Sequence, residues 1–291
     1  MIRTNLINRT IIIVSLAALI LSFATVNVAA DENYPVFFPG ERLKFKLKWG
    51  FIPAGEAVLE VMPVETINGV KTYHFVMKAR TNSFIDKIYK YRSRIDAYAD
   101  LDMTHSLMYL KKTQERKSTK EIQVQFDWDK NEAHYRRIKI KPGRTPEISK
   151  RDQRTVLLPG SFDPLSIFYY TRLTKLGNNS LIEYPVTDGK KCVVARADIV
   201  KRVKIKVNGK HYDTFLVQPD LKHLEGVFNK SKNAKIDLWV TADRRRLPVK
   251  MKSRVYVGSF TGELVSIEGP VDVASSKAQA LEKNASFAGG L

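Results

Sequence analysis

The amino-acid sequence predicts an all-β protein, mainly antiparallel, built as a curved sheet or open barrel of many strands with one amphipathic helix at about 163–176. Three observations carry that expectation. Apolar and polar residues alternate with period two in run after run, Asn-Gly and Asp-Gly pairs stand between several of the runs, and helical periodicity interrupts the alternation once.

The first run interleaves Leu43, Phe45, Leu47 and Trp49 with Arg42, Lys44, Lys46 and Lys48. Successive side chains of a strand point to opposite faces, so one face is apolar and the other carries four cations. Similar runs follow at Ala57 to Met62, Tyr73 to Met77, Ile122 to Phe126, Arg137 to Lys141, Val193 to Ile199, Lys201 to Val207, Tyr212 to Val217, Ile236 to Val240 and Leu247 to Val257. Asn68-Gly69, Asp188-Gly189 and Asn208-Gly209 supply the positive φ angles of two-residue hairpin turns.

Asp127-Trp128-Asp129-Lys130-Asn131 opens like a calcium loop, but Glu132 stands where the loop needs Gly and Ile138 where it needs Glu. It reads as a polar hairpin turn. Asp163-Pro164 offers an N-cap and a first-turn proline, and Leu165, Phe168, Tyr169, Leu173 and Leu176 follow at helical spacing before Gly177. A helix of about 13 residues results, its apolar stripe against the sheet. A shorter helical stretch is read at Ser83 to Tyr89. Pro142-Gly143, Pro146 and Pro159-Gly160 cluster where two half-sheets would hinge, near 142–165.

Residues 1–30 carry Arg3 and Arg9 without an acid, then an apolar stretch from Ile11 to Val26, then Val28-Ala29-Ala30 before Asp31-Glu32. This is the three-part pattern of a secretory signal cleaved after Ala30, and the small residues at its end weigh against an uncleaved anchor. Removing 30 residues and two arginines leaves 261 residues at a net charge of +17. A single β domain is expected over 31–271. The Ala/Ser/Gly/Lys-rich stretch 272–291 is expected to be disordered. The 44% apolar content suffices for a core.

Composition excludes several chemistries. Cys192 is the sole cysteine, so there is no internal disulfide, no thiolate cluster and no lipid-bearing cysteine at the mature N-terminus. In a strand-like run it reads as a small buried hydrophobe. No nucleophile-elbow, zinc-protease, P-loop or dinucleotide motif occurs. His74, His105, His134, His211 and His223 lack ligand spacing. Asp100 and Asp102 would share a strand face, as converging carboxylates must, but such pairs are common at strand ends. The expectation is a protein that is not an enzyme and holds no metal or cofactor.

Charge is the informative anomaly: 49 Lys and Arg stand against 30 Asp and Glu. The cations cluster at Arg42 to Lys48, Lys111-Lys112, Arg136-Arg137, Lys139/Lys141, Lys201-Arg202, Lys204/Lys206, Arg244-Arg245-Arg246 and Lys250/Lys252, several at period two. Adjoining strands would join them into a basic face that attracts anions less as salt rises, or one that is merely solvated. For an exported chain the anions are phospholipid, lipopolysaccharide, acidic glycan or peptidoglycan, not nucleic acid. Tyr89/Tyr91 and Tyr169/Tyr170 line a cavity on one reading and belong to the core on the other.

The sequence resembles the DUF3108 group of exported bacterial proteins over 38–265. The likeness rests on Phe38-Pro39-Gly40-Glu41, Leu43-Lys44-Phe45, Trp49, Ala54-Gly55, Asp163-Pro164-Leu165-Ser166, Asp188-Gly189-Lys190-Lys191, and the stretch from Asp237-Leu238-Trp239-Val240-Thr241 to Leu247-Pro248-Val249-Lys250. The hairpin from Trp239 to Lys250 also looks like a feature of LolA/LolB-type lipoprotein carriers, in which a curved sheet wraps an apolar cavity covered by helices. That likeness implies an amphiphile between the sheet and the 163–176 helix; neither resemblance supplies catalytic residues.

The expectation is therefore a non-enzymatic periplasmic protein that binds an anionic amphiphile or an envelope polymer in or on a curved basic sheet, with peripheral membrane contact as a partner mode. Trp49, Tyr91, Phe168 and Tyr169 are the candidate cavity residues, and Arg244, Arg245, Lys250 and Lys252 the candidate anion contacts. The alternative is an envelope scaffold module whose β face docks a protein partner. A hydrolase using Asp100/Asp102 or a histidine has no visible convergent acids, and an integral outer-membrane barrel is opposed by the polar, Gly-rich end of the chain.

Overall fold

The structure, a computed structural model, describes residues 35–220, 235–255 and 258–269. The expected signal (1–30) and tail (272–291) lie outside the described residues. Contacts divide the chain after Pro35, and every element below belongs to the unit that begins at Val36.

Fourteen strands form one antiparallel sheet: β1 (Arg42–Trp49), β2 (Ile52–Ile67), β3 (Val70–Thr81), β4 (Tyr91–Asp100), β5 (Ser106–Glu115), β6 (Ser118–Asp127), β7 (Glu132–Lys141), β8 (Glu147–Val156), β9 (Ser180–Thr187), β10 (Cys192–Val207), β11 (Lys210–Pro219), β12 (Lys235–Thr241), β13 (Pro248–Val255) and β14 (Gly258–Glu268). Helix α1 (Ser83–Tyr89) joins β3 to β4, and α2 (Ser166–Leu173) lies in the connection from β8 to β9. The strand order is β8-β7-β6-β5-β4-β3-β2-β1-β14-β13-β12-β11-β10-β9. The chain thus starts at the centre, meanders to one edge, crosses to the far edge and returns to the centre, where β14 pairs with β1. The expected two half-sheets are one continuous sheet, and 142–146 is only the β7–β8 connection.

Local chemistry explains the turns. Asn68 and Gly69 have φ of 50° and 81°, and Asn208 and Gly209 46° and 82°, so both central residues are left-handed as a two-residue hairpin demands. Asp188-Gly189 departs from that expectation: only Gly189 has a positive φ, and four residues separate β9 from β10. At the β6–β7 turn the Asp127 carboxylate accepts from the Lys130 amide at 3.1 Å, as a polar turn predicts. The long helix expected at 163–176 is reduced to Ser166–Leu173. Asp163 still caps it, accepting from the Leu165 and Ser166 amides at 2.8 and 3.0 Å, but Thr174 is extended and ends it.

The inner face of the sheet carries the core, and α2 packs across it. The Tyr169 ring stacks on Phe75 at 3.9 Å and meets Phe37 edge-on at 5.4 Å. Beside it an ion pair is sealed from solvent: Arg172 donates to the two Glu41 oxygens at 2.6 and 3.1 Å, to the Val36 carbonyl at 3.0 Å and to the Arg245 carbonyl at 3.1 Å. Arg245 reaches the same carboxylate at 3.1 Å. One helix residue thereby ties the segment before β1 to the β12–β13 turn.

The edges β8 and β9 share no ladder. The crossing segment covers part of the β9 edge through a parallel bridge at Phe162, whose amide donates to the Pro185 carbonyl at 3.0 Å. The tip of the β9–β10 hairpin reaches the far half, where Thr155 donates to the Gly189 carbonyl at 2.8 Å and Gln153 to the Lys190 carbonyl at 3.0 Å. A Cβ on Gly189 would stand 2.7 Å from Val124 and 2.9 Å from Tyr135.

Two outcomes are expected in equilibrium denaturation. Arg172→Ala or Glu41→Ala removes about 3–5 kcal/mol by leaving a buried charge unpaired, whereas the paired change Glu41→Leu/Arg172→Met recovers most of that loss. Gly189→Ala removes about 1–3 kcal/mol, because the backbone is left-handed and the space is taken by the β6 and β7 side chains.

Candidate functional site

Registers sort the cations onto two faces, since residues directly opposite each other share a side. On the outer face Arg42, Lys78, Arg80, Arg92, Arg94 and Lys112 line an open cleft of about 600 Å³ over β1–β6. Each has an acid. Arg42 and Lys78 meet Glu60 at 3.1 and 2.7 Å, Arg80 meets Glu56 at 2.6 Å, Arg92 meets Asp86 at 2.5 Å, Arg94 meets Asp96 at 2.6 Å and Lys112 meets Glu121 at 2.6 Å. A paired cation attracts an added anion weakly, so this cleft is a solvated ion network.

The inner face of β4–β8 is different. Opposed residues form a row Ile95, Lys111, Ile122, Arg137, Arg151 and a second row Ser93, Thr113, Lys120, Lys139, Ser149. One step deeper the same face is core, with Ala97, Tyr109, Val124 and Tyr135 all buried. Lys111 is therefore held at the floor of an inner wall whose alternation places it among apolar neighbours. Among the described residues no ion pair holds Lys111, Lys120 or Arg137.

Burial pulls the Lys111 ammonium below the ordinary lysine range, and the positive charges of Lys120 and Lys190 add to the effect against the weaker pull of Glu115 and Asp188. Around it the Thr113 hydroxyl, the Tyr135 hydroxyl and the Arg137 Nε are buried without a hydrogen-bond partner. Tyr135 is 1% exposed and Thr113 2%. All three are donors, and an unpaired buried donor costs about 1–3 kcal/mol. Lys190 lies 5.9 Å over the Tyr135 ring, closing the wall from the hairpin tip.

On β1–β3 the same inner face is apolar and loses cover toward one end of the sheet. Along β1, Leu43 is fully buried, Phe45 and Leu47 are half-buried and Trp49 is exposed; Met77 on β3 is half-buried. Cation and hydrocarbon thus adjoin on one inner face, the two needs of an amphiphile.

The candidates from the sequence fall in separate places. Tyr91 stands at the mouth of the inner wall, half-buried, its phenol pushed up by burial. Tyr169 is core, and stacking fills the space beneath α2 at that residue; Phe168 meets Tyr169 edge-on at 5.7 Å. Trp49 stacks on Phe260 at the open end, with centroids 6.2 Å apart. Arg245 is engaged by Glu41, and Lys250 lies 5.8 Å over Trp239 and 3.6 Å from Glu263. Lys252 and Arg244 are exposed. Lys111, Lys120 and Arg137 went unselected, although Leu107, Tyr109, Lys111 and Thr113 alternate in a way that places Lys111 on the apolar side.

The remaining polar groups serve the scaffold. Asp100 accepts from the Thr104 and His105 amides at 2.8 and 2.9 Å, while Asp102 is exposed, so the two do not converge. His74 lies between Glu65 and Asp96 at 2.7 and 2.9 Å, and His223 lies outside the described residues. Cys192 is half-buried rather than fully buried, its sulfur 3.1 Å from the Ser161 hydroxyl. Among the described residues no three His, Cys, Asp or Glu side chains gather to hold a metal, and no helix is long and apolar enough to cross a membrane.

No curated protein matches the sequence. A crystal structure of a beta-barrel-like protein of domain of unknown function DUF1849 from Brucella abortus is similar at 13% identity and a TM-score of 0.47, over 79% of this chain and 97% of that one. The expected likeness to LolA/LolB carriers is not shown. A family model described as "Protein of unknown function (DUF3108)" matches residues 44–265, and the chain belongs to that family.

Proposed function

We propose that this chain is an exported, non-enzymatic envelope protein that binds an anionic amphiphile inside its curled sheet. The headgroup sits against Lys111, Lys120 and Arg137, and the hydrocarbon runs along Phe45, Leu47 and Met77. One observation carries the reading: Lys111 is drawn into the inner wall with no ion pair to hold it among the described residues, the pull of Glu115 and Asp188 being outweighed by burial and by Lys120 and Lys190. A half-buried ammonium without a counter-ion destabilises the fold, and a bound phosphate or carboxylate offsets that penalty. The unpartnered Thr113, Tyr135 and Arg137 donors suit the oxygens of the same headgroup. Export is supported by the cation–apolar–small pattern of residues 1–30.

Decyl phosphate, held below its micelle concentration, tests the site by calorimetric titration. One saturable site is expected, and Lys111→Met weakens binding at least tenfold, a loss of about 1.4 kcal/mol. Lys112→Met, one residue away on the outer face, leaves binding unchanged. Equal affinity for Lys111→Met, or tighter binding of an acidic oligosaccharide that lacks an alkyl chain, overturns the reading.

Two consequences follow from the same lysine. The unliganded Lys111→Met protein is more stable than the parent by about 1 kcal/mol in denaturant melts, because the substitution removes a desolvated charge. Affinity also depends on pH in a defined direction: binding needs the protonated amine, so it falls as pH rises through the lowered Lys111 value, before ordinary lysines titrate.

A further inference from the structure

The end of the sheet at which the inner wall loses its cover is also where large apolar side chains stand in solvent. Phe51, in the β1–β2 turn, is 100% exposed, and Trp49 and Ile52 flank it. Helix α1 continues the patch: its N-cap Asn82 donates to the Pro53 carbonyl at 2.7 Å, holding the helix beside that turn. Of its apolar residues only Ile85 turns inward. Phe84 and Ile88, four residues apart and so on one helix face, are 59% and 61% exposed. A surface helix normally buries its apolar stripe, and this one presents it to solvent.

Cations around the patch outnumber its acids. Lys87 lies in the last turn of α1 and Lys90 at its C-cap, and the β5–β6 turn brings Arg116 and Lys117 against it, with the Arg116 amide 2.7 Å from the Lys90 carbonyl and its guanidinium 5.3 Å over the Tyr89 ring. None of the four makes an ion pair among the described residues; the acids beside them are Glu115 and Asp86, and Asp86 is held by Arg92.

We infer that this end is a docking surface for an anionic lipid bilayer, with Phe51, Phe84 and Ile88 entering the headgroup–acyl boundary while Lys87, Lys90, Arg116 and Lys117 meet lipid phosphates. Exposed aromatic and aliphatic side chains ringed by unpaired lysine and arginine match that boundary in both hydropathy and charge. A protein partner with an apolar face would leave the four cations unmatched. Docking in this orientation points the uncovered end of the inner face at the lipid, which extends the proposed function, yet it stands on different residues and fails separately.

Vesicle flotation of the full chain tests it. The protein is expected to float with phosphatidylglycerol-containing vesicles and not with phosphatidylcholine vesicles, and raising salt to about 0.5 M weakens the association. Phe84→Ser/Ile88→Ser and Lys87→Glu/Lys117→Glu each lower vesicle binding at least tenfold. Both pairs are solvent-exposed, so melting curves and decyl phosphate affinity stay at parental values, whereas Lys111→Met loses the ligand and still floats. Equal binding to neutral vesicles, or full flotation of both paired variants, overturns the inference. So does a dimer in equilibrium sedimentation that Phe84→Ser/Ile88→Ser dissociates, which would assign the patch to a second copy of this chain.

Discussion

The arrangement depends on the buried pair between Arg172 and Glu41. An arginine with almost no exposure is tolerable only when its planar donors are nearly all taken, and here one carboxylate and two backbone carbonyls take them. Because the partners come from the segment before β1, from α2 and from the β12–β13 turn, the pair sets where the helix lies across the sheet. The aromatic stack of Tyr169 on Phe75 then has one geometry available. This network closes one end of the curled sheet with buried polar contacts, whereas at the far end the network of Arg92 with Asp86 and Thr81 is only partly buried.

Strand alternation divides the charge in the same spirit. The excess of lysine and arginine suggests a broad basic face, yet the six cations of the outer cleft over β1–β6 are neutralised by five acids, Glu60 serving both Arg42 and Lys78. What distinguishes the inner wall is environment, not number. Lys111, Lys120 and Arg137 make no ion pair among the described residues, and the Thr113 and Tyr135 hydroxyls and Arg137's own Nε are buried with nothing to bind. A cation matters to recognition when its own protein has left it uncompensated.

Much of this fold was legible. β1 follows from four alternating pairs, the Asn68 and Asn208 turns from their glycines, and the start of α2 from Asp163. The strands that escaped notice fail the pattern for identifiable reasons. β8 (EISKRDQRTV) is an edge strand with little to bury, β9 contains Pro185, and β4 and β5 place arginine, serine and lysine where apolar residues are expected. Their pairing comes from neighbours, which local propensity does not encode. The inner wall stayed hidden for the same reason: Lys111 and Arg137 are 26 positions apart and meet only through registers. Charge clusters in sequence drew attention to Arg244, Arg245, Lys250 and Lys252, which the fold scatters or neutralises. Family membership was legible because its short motifs are local.

The central placement of both chain ends of the sheet has a consequence for assembly. β1 is made first and β14 last, yet the two are neighbours, so one edge of the earliest strand waits for nearly the whole polypeptide to arrive. Each meander gathers through short-range hairpins, and their union is the long-range event that sets the pace of maturation. Throughout that interval β1 shows a bare ladder to other nascent chains. The lysines at 44, 46 and 48 repel such company, giving the row of positive charge a protective duty before any ligand is met.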